Sequence, residues 1–122
     1  MNRLALFILM LSSVLNASSQ FRIEQGTDVT VSYDSDDTVG VVLSALEILG
    51  DDMRDVLGVN LKMVDNNPDI SVSVDSSVIK QCEGFEIKVT SDNKLTITGH
   101  DKHGAAYGIM EICRLLGVSP WE

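Results

Sequence analysis

Residues 85–98 read FEIKVTSDNKLTIT. Phe85, Ile87 and Val89 alternate with Glu86, Lys88 and Thr90, and Leu95 and Ile97 alternate with Thr96 and Thr98. Successive strand side chains point to opposite faces, so each run has one apolar and one polar side. Ser91-Asp92-Asn93 between them is turn chemistry, and the two runs read as a hairpin. Upstream the pattern recurs: Val29, Val31 and Tyr33 alternate with Thr30 and Ser32, and Ile70, Val72 and Val74 with Ser71, Ser73 and Asp75. A shorter extended piece, Leu61 to Val64, precedes the turn cluster Asp65-Asn66-Asn67-Pro68. Strands that are apolar on one side bury only that side.

Two stretches with helical spacing supply the cover. From about Thr38 to Leu57, the residues Val39, Leu43, Leu46, Leu49, Met53 and Leu57 recur in steps of three and four, and Gly58 stands where a helix C-terminal glycine belongs. Asp36 or Asp37 is placed to cap its start, and Gly50 marks a point where the helix is open to a break. His103 to Leu116 carries Ile109, Ile112, Cys113 and Leu116 on one side and ends at Gly117. The expected fold class is therefore α+β: a two-layer sandwich, with a mainly antiparallel sheet of about four strands and two helices on one face.

The chain has 122 residues, enough for one domain, and carries 9 Lys and Arg against 18 Asp and Glu, a formal charge of −9. Nucleic acid and anionic membrane surfaces both call for clustered cations, so neither is an expected partner. The first residues read as a signal peptide. Arg3 precedes the apolar run Leu4 to Leu15, which is short for a bilayer span, and Ala17 and Ser19 are small residues placed for cleavage after Ser19. Residues 1–19 are thus expected to be removed, leaving a secreted or periplasmic chain from Gln20 with no membrane segment. The two cysteines, Cys82 and Cys113, give no disulfide framework and no zinc spacing, and are read as buried thiols, with a bridge as the alternative.

Little in the chain carries a catalytic pattern. There is no GxSxG elbow, no phosphate-cradling glycine loop and no HExxH, so no catalytic, cofactor-binding or metal residue is assigned. His100 and His103 flank a strand-to-helix junction with no third ligand at suitable spacing, and read as loop residues. The acidic runs Asp34-Ser35-Asp36-Asp37 and Asp51-Asp52 read as solvated charge, although a carboxylate pair is what glycoside hydrolysis needs. Phe21, Tyr33 and Phe85 lie in strand patterns as core or edge residues, and the outward sheet face offers no aromatic platform for a sugar. Tyr107 reads as a core ring with a wet hydroxyl.

The C-terminal quarter, LTITGHDKHGAAYGIMEICRLLGVSPWE over residues 95–122, resembles a segment of glycoside hydrolase family 115, the xylan α-glucuronidases. The residues that match are Gly99, Asp101, Lys102, Gly104, Tyr107, Gly108, Ile109, Glu111, Gly117, Val118, Ser119, Pro120 and Trp121; His103 stands where the family usually has Arg. The order of elements upstream is similar to the N-terminal domain of these enzymes, and to the domain that precedes the barrel in hexosaminidase-type hydrolases. The resemblance implies an accessory domain over residues 20–117. Residues 118–122 then begin a linker into a catalytic (β/α)8 barrel of the same parent enzyme, with plant polysaccharide as its substrate. It transfers no catalytic residue, and implies that this chain alone is inactive. Where the barrel docks, the surface is expected to be apolar. Positions for barrel contact or loop roles are His100, Asp101, Lys102, His103, Tyr107 and Trp121. A stand-alone secreted carbohydrate-binding or interaction module is the other reading.

Overall fold

The computed structural model of the chain describes residues 6–12, 18–24, 26–33, 40–90 and 93–117. In chain order the elements are β1 (Leu6–Ser12), β2 (Ser18–Glu24), β3 (Asp28–Tyr33), α1 (Val41–Leu57), β4 (Asn60–Met63), β5 (Ile70–Val74), β6 (Phe85–Thr90), β7 (Lys94–Gly99) and α2 (Lys102–Gly117). Among the described residues, β1 and β2 form an antiparallel pair, and the other five strands form one sheet in the order β4-β3-β5-β7-β6.

The α+β class and the two helices on one face hold, but the strand direction differs from the expectation. β3 runs parallel to β4 and to β5, and β5 runs parallel to β7; within this sheet only β6 and β7, the hairpin read first, are antiparallel. The mainly antiparallel sheet of about four strands is thus corrected to a mostly parallel sheet of five. One-sided alternation reports how many faces are buried, and direction is set by the connections. α1 carries the chain back between β3 and β4, the crossover that parallel neighbours require. β4 then pairs with Asp28–Val31 of β3, while β5 pairs with Val31–Tyr33 from the other side. No reversal is needed between them, and the short stretch 64–69 suffices.

Register lines up the apolar side chains in rows. Val31, Ile70, Leu95 and Val89 are successive partners across the sheet, as are Tyr33, Val72, Ile97 and Ile87. Val29, Val31, Ile70, Val72, Leu95 and Ile97 are buried beneath Val42, Ala45, Leu46, Leu49, Met53 and Leu57 of α1 and Ala105, Ala106, Ile109, Ile112, Cys113 and Leu116 of α2. On the other face the register aligns Ser32, Ser71, Thr96 and Lys88, then Ser73, Thr98 and Glu86. The polar outward face is as expected.

α1 is unbroken at Gly50 and ends as read. Gly58 adopts a left-handed conformation (φ 68°), its N–H donates to Arg54 O at 3.0 Å, and Val59 N–H donates to Met53 O at 3.3 Å. Its start differs: the N-cap is Gly40 (φ 81°), with no side-chain cap, and Asp36 and Asp37 lie outside the described residues. Leu43, assigned to the buried stripe, is exposed, and Val42 takes the inner position.

Asp69 stitches the sheet where β5 has not yet begun. Its carboxylate accepts from Thr30 N–H at 3.0 Å and from the Thr30 hydroxyl at 3.2 Å, while its own N–H donates to Thr30 Oγ1 at 2.9 Å. A side chain thus satisfies a part-buried backbone donor of β3 that would otherwise lack a partner. β2 is anchored independently of β1. Phe21 and Ile23 are in the core, and Asn93 grips Arg22 at both backbone groups, Oδ1 accepting from its N–H at 2.7 Å and Nδ2 donating to its carbonyl at 3.1 Å. The expected cleavage point after Ser19 falls within β2, and a chain beginning at Gln20 keeps both core residues and the Asn93 grip.

Candidate functional site

The segment Gly99-His100-Asp101-Lys102-His103-Gly104 forms the junction between β7 and α2. Asp101 is the N-cap of α2: its Oδ1 accepts from Gly104 N–H at 2.7 Å, and its carbonyl accepts from Ala105 N–H at 3.0 Å. Its second carboxylate oxygen accepts from Glu83 N–H at 3.3 Å. His100 fixes the same loop from the other side: its N–H donates to Gly84 O at 2.9 Å, and Nδ1 lies 2.6 Å from Ile79 O. A carbonyl only accepts, so that contact requires the proton on Nδ1. Together they clamp residues 79–84 onto the start of the helix.

The glycines of the segment are explained by proximity. A Cβ at Gly99 would run into the backbone of Gly104 and Ala105, and one at Gly104 would run into the carbonyl of Gly84. One turn on, a Cβ at Gly108 would stand 2.6 Å from Ile97 Cγ2. α2 therefore lies directly on β7 and the 79–84 loop.

The Asp101 carboxyl is held below the usual carboxylate value, chiefly by the hydrogen bond from Gly104 N–H, with Glu83 N–H and the charges of His100 and His103 adding to it. A depressed native pKa means that the ionised form favours the fold. Its contribution is complete above the unfolded value near ~3.9 and is lost as pH falls through the native value. Asp101→Asn is accordingly expected to lower the thermal midpoint at pH 7, with the gap to wild type closing toward pH 3. Paired thermal melts across that range check this.

These contacts assign His100 and Asp101 to positioning the backbone. Lys102 is half-buried, and His103 is exposed. Tyr107, read as a core ring, is 47% exposed, because it sits on the side of α2 opposite Ile109 and Ile112. Trp121 lies outside the described residues. Phe21 is core, and Phe85 is exposed on the edge strand β6, in line with the core-or-edge reading. Both cysteines are free; Cys113 is buried as expected, but Cys82 is exposed, in the 79–84 loop. Burial, and then the Asp52 carboxylate to which it donates, push the Cys113 thiol up to about 12, which disfavours the thiolate. Among the described residues no group of three or more His, Cys, Asp or Glu is placed to hold a metal ion.

The contact of Cys113 with Asp52 marks the seam between the helices. One turn before it on each helix stand Met110 and Ile48, and one turn after it on α1 stands Val56. Ile48, Val56, Tyr107 and Met110 are all exposed, so the outer side of the helix layer carries apolar side chains. Sequence periodicity passed over Ile48 and Val56; the signal was there, since both are apolar residues off the main stripe of α1. This surface fits docking better than chemistry.

No protein-family model and no curated protein sequence matches the chain. Among solved structures, it is similar to BtGH115A, a GH115 4-O-methyl-alpha-glucuronidase with specificity for decorated arabinogalactans, with 34% identity and a TM-score of 0.72. The match covers 84% of this chain and 15% of that one, so the chain spans a small part of the enzyme's length. A GH138 enzyme targeting pectin rhamnogalacturonan II shares the fold at 24% identity and a TM-score of 0.55, over 75% of this chain and 10% of its own. With the match to the enzyme from GH115 laid over the junction sequence and its geometry, the chain is a domain related to the glycoside hydrolases of family 115.

Proposed function

We propose that this chain is the N-terminal, non-catalytic accessory domain of an exported α-glucuronidase that removes glucuronate side groups from plant polysaccharide such as xylan. The observation that carries the reading is that 84% of the chain corresponds to only 15% of a GH115 enzyme. A catalytic barrel builds its active site from loops at its own strand ends, so the chemistry belongs to the remaining length. Two features support this: His100 and Asp101 of the junction are spent on backbone clamping, and the helix layer presents apolar side chains for a partner to cover. Export is supported by Arg3, the run Leu4 to Leu15 and the small residues Ala17 and Ser19.

A stand-alone carbohydrate-binding module is the second reading, favoured by the exposed rings of Tyr107 and Phe85, which offer apolar faces of the kind sugars stack on. The purified chain incubated with 4-O-methyl-glucuronoxylan and with arabinogalactan separates the two. The accessory domain releases no uronic acid and is not retained on the insoluble polysaccharide. Retention abolished by Tyr107→Ala would establish the binding module instead.

A further inference from the structure

On the far side of α1 from the helix seam, a groove of about 400 Å³ runs between α1 and the edge strand β4. Its floor is apolar, with Val31, Leu46 and Leu61 below, and the exposed Leu43 and Met63 stand at its sides. The rim is acidic. Glu47 has no ion pair among the described residues, and Asp51 is held by Arg54 at 2.7 Å. Gly50 lies between them on the groove.

Gly50 is the informative residue. A glycine inside a helix is unfavourable relative to alanine. At Gly99 and Gly104 the backbone leaves no room for a side chain, and that accounts for them. At Gly50 it does not: an added Cβ would meet Leu61 Cβ at 3.6 Å, an ordinary contact. Packing within this domain therefore gives no reason for a glycine in the middle of α1. What its absent side chain does is keep the groove open down to Leu61.

We propose that this groove receives a Lys or Arg side chain from the catalytic module of the same enzyme, its aliphatic stem laid over Gly50 and Leu61 and its cation set at Glu47. The stem matches the apolar floor, and the charge matches the rim, as such side chains bury methylenes while keeping their heads at polar groups. A partner protein is favoured over a second copy because the solvent side of α1 carries Glu47, Asp51 and Asp55 against Arg54, and two such faces repel. It is favoured over polysaccharide because no aromatic lines the groove. This inference rests on the accessory-domain reading and adds which face docks and by what chemistry.

The test is thiol labelling in a Cys82→Ser background, with Met63→Cys reporting on the groove and Met110→Cys on the helix seam. Each variant is compared in the chain alone and in a chimera where the chain replaces the matching domain of BtGH115A. Met63→Cys is expected to label an order of magnitude more slowly in the chimera, with the protection weakened by high salt. Gly50→Leu fills the groove and is expected to abolish that protection, while circular dichroism shows the chain still folded. If Gly50→Leu does not fold, the Met63→Cys comparison decides alone. Equal labelling of Met63→Cys in chain and chimera overturns the groove assignment. If Met110→Cys is protected in that case, docking through the helix seam survives; if neither is protected, the accessory reading fails with it. Protection in the chain alone that grows with its concentration, or that appears on adding soluble xylan, would assign the groove to a second copy or a sugar and overturn the proposal.

Discussion

Gly99→Ala is expected to strip the domain of a large part of its stability. The position is buried at the end of β7, and its missing side chain is the space into which the first turn of α2 fits. A flexible side chain can move aside, but the obstacle here is the backbone of Gly104 and Ala105, fixed by the Asp101 cap and by the helix itself. Relief would require α2 to lift off β7, opening the contact of Ile109 and Ile112 with the sheet. Overpacking of this kind costs about 3 kcal/mol or more, against a total of about 5–15 kcal/mol for a typical domain. Urea unfolding reads it as a large fall in midpoint. Gly50→Ala is the control, since it has ordinary space, and its midpoint is expected to hold or rise slightly. An unchanged midpoint for Gly99→Ala would mean that α2 does not seat as described.

Ile109→Ala carries the second large effect. Ile109 is fully buried at the centre of α2, among the inner residues of both helices and the sheet. Truncation removes its transfer free energy and leaves a cavity that a sheet below and a helix beside it cannot close, a loss of about 2–5 kcal/mol. The neighbouring Met110→Ala, at an exposed position, is expected to change stability by less than about 0.5 kcal/mol. The contrast between adjacent residues fixes which side of α2 faces the core. Equal effects at the two positions would contradict the packing.

Much of this arrangement was legible from residue spacing. The β6–β7 hairpin, the polar outer sheet face, the end of α1 at Gly58 and the inner residues of α2 all follow from periodicity and turn chemistry. Strand direction did not follow, because a strand with one buried face has the same alternation whichever way its neighbour runs. Leu43 and Val42 show a second limit: on a helix, residues 100° apart compete for the edge of the buried stripe, and the partner's shape decides between them. Tyr107 was misplaced for a different reason: it was read by residue type, although its spacing sets it opposite Ile109 and Ile112. The junction segment was recognisable as a family signature, but its physical role was not readable in one dimension. His100 and Asp101 act on Ile79, Gly84 and Glu83, residues distant in the chain that only the fold brings near. The groove was invisible in the sequence, since it is made by α1 and β4 together and marked only by a glycine that needs no special conformation.

The proposed accessory role predicts a domain that is inert toward substrate, its junction residues spent on clamping backbone. The most direct measurement is uronic acid released from 4-O-methyl-glucuronoxylan and arabinogalactan by the purified chain, set against a heat-inactivated sample. No release above that control is the predicted result. Release that is lost on heating would contradict the accessory role and place a catalytic carboxylate pair within these 122 residues.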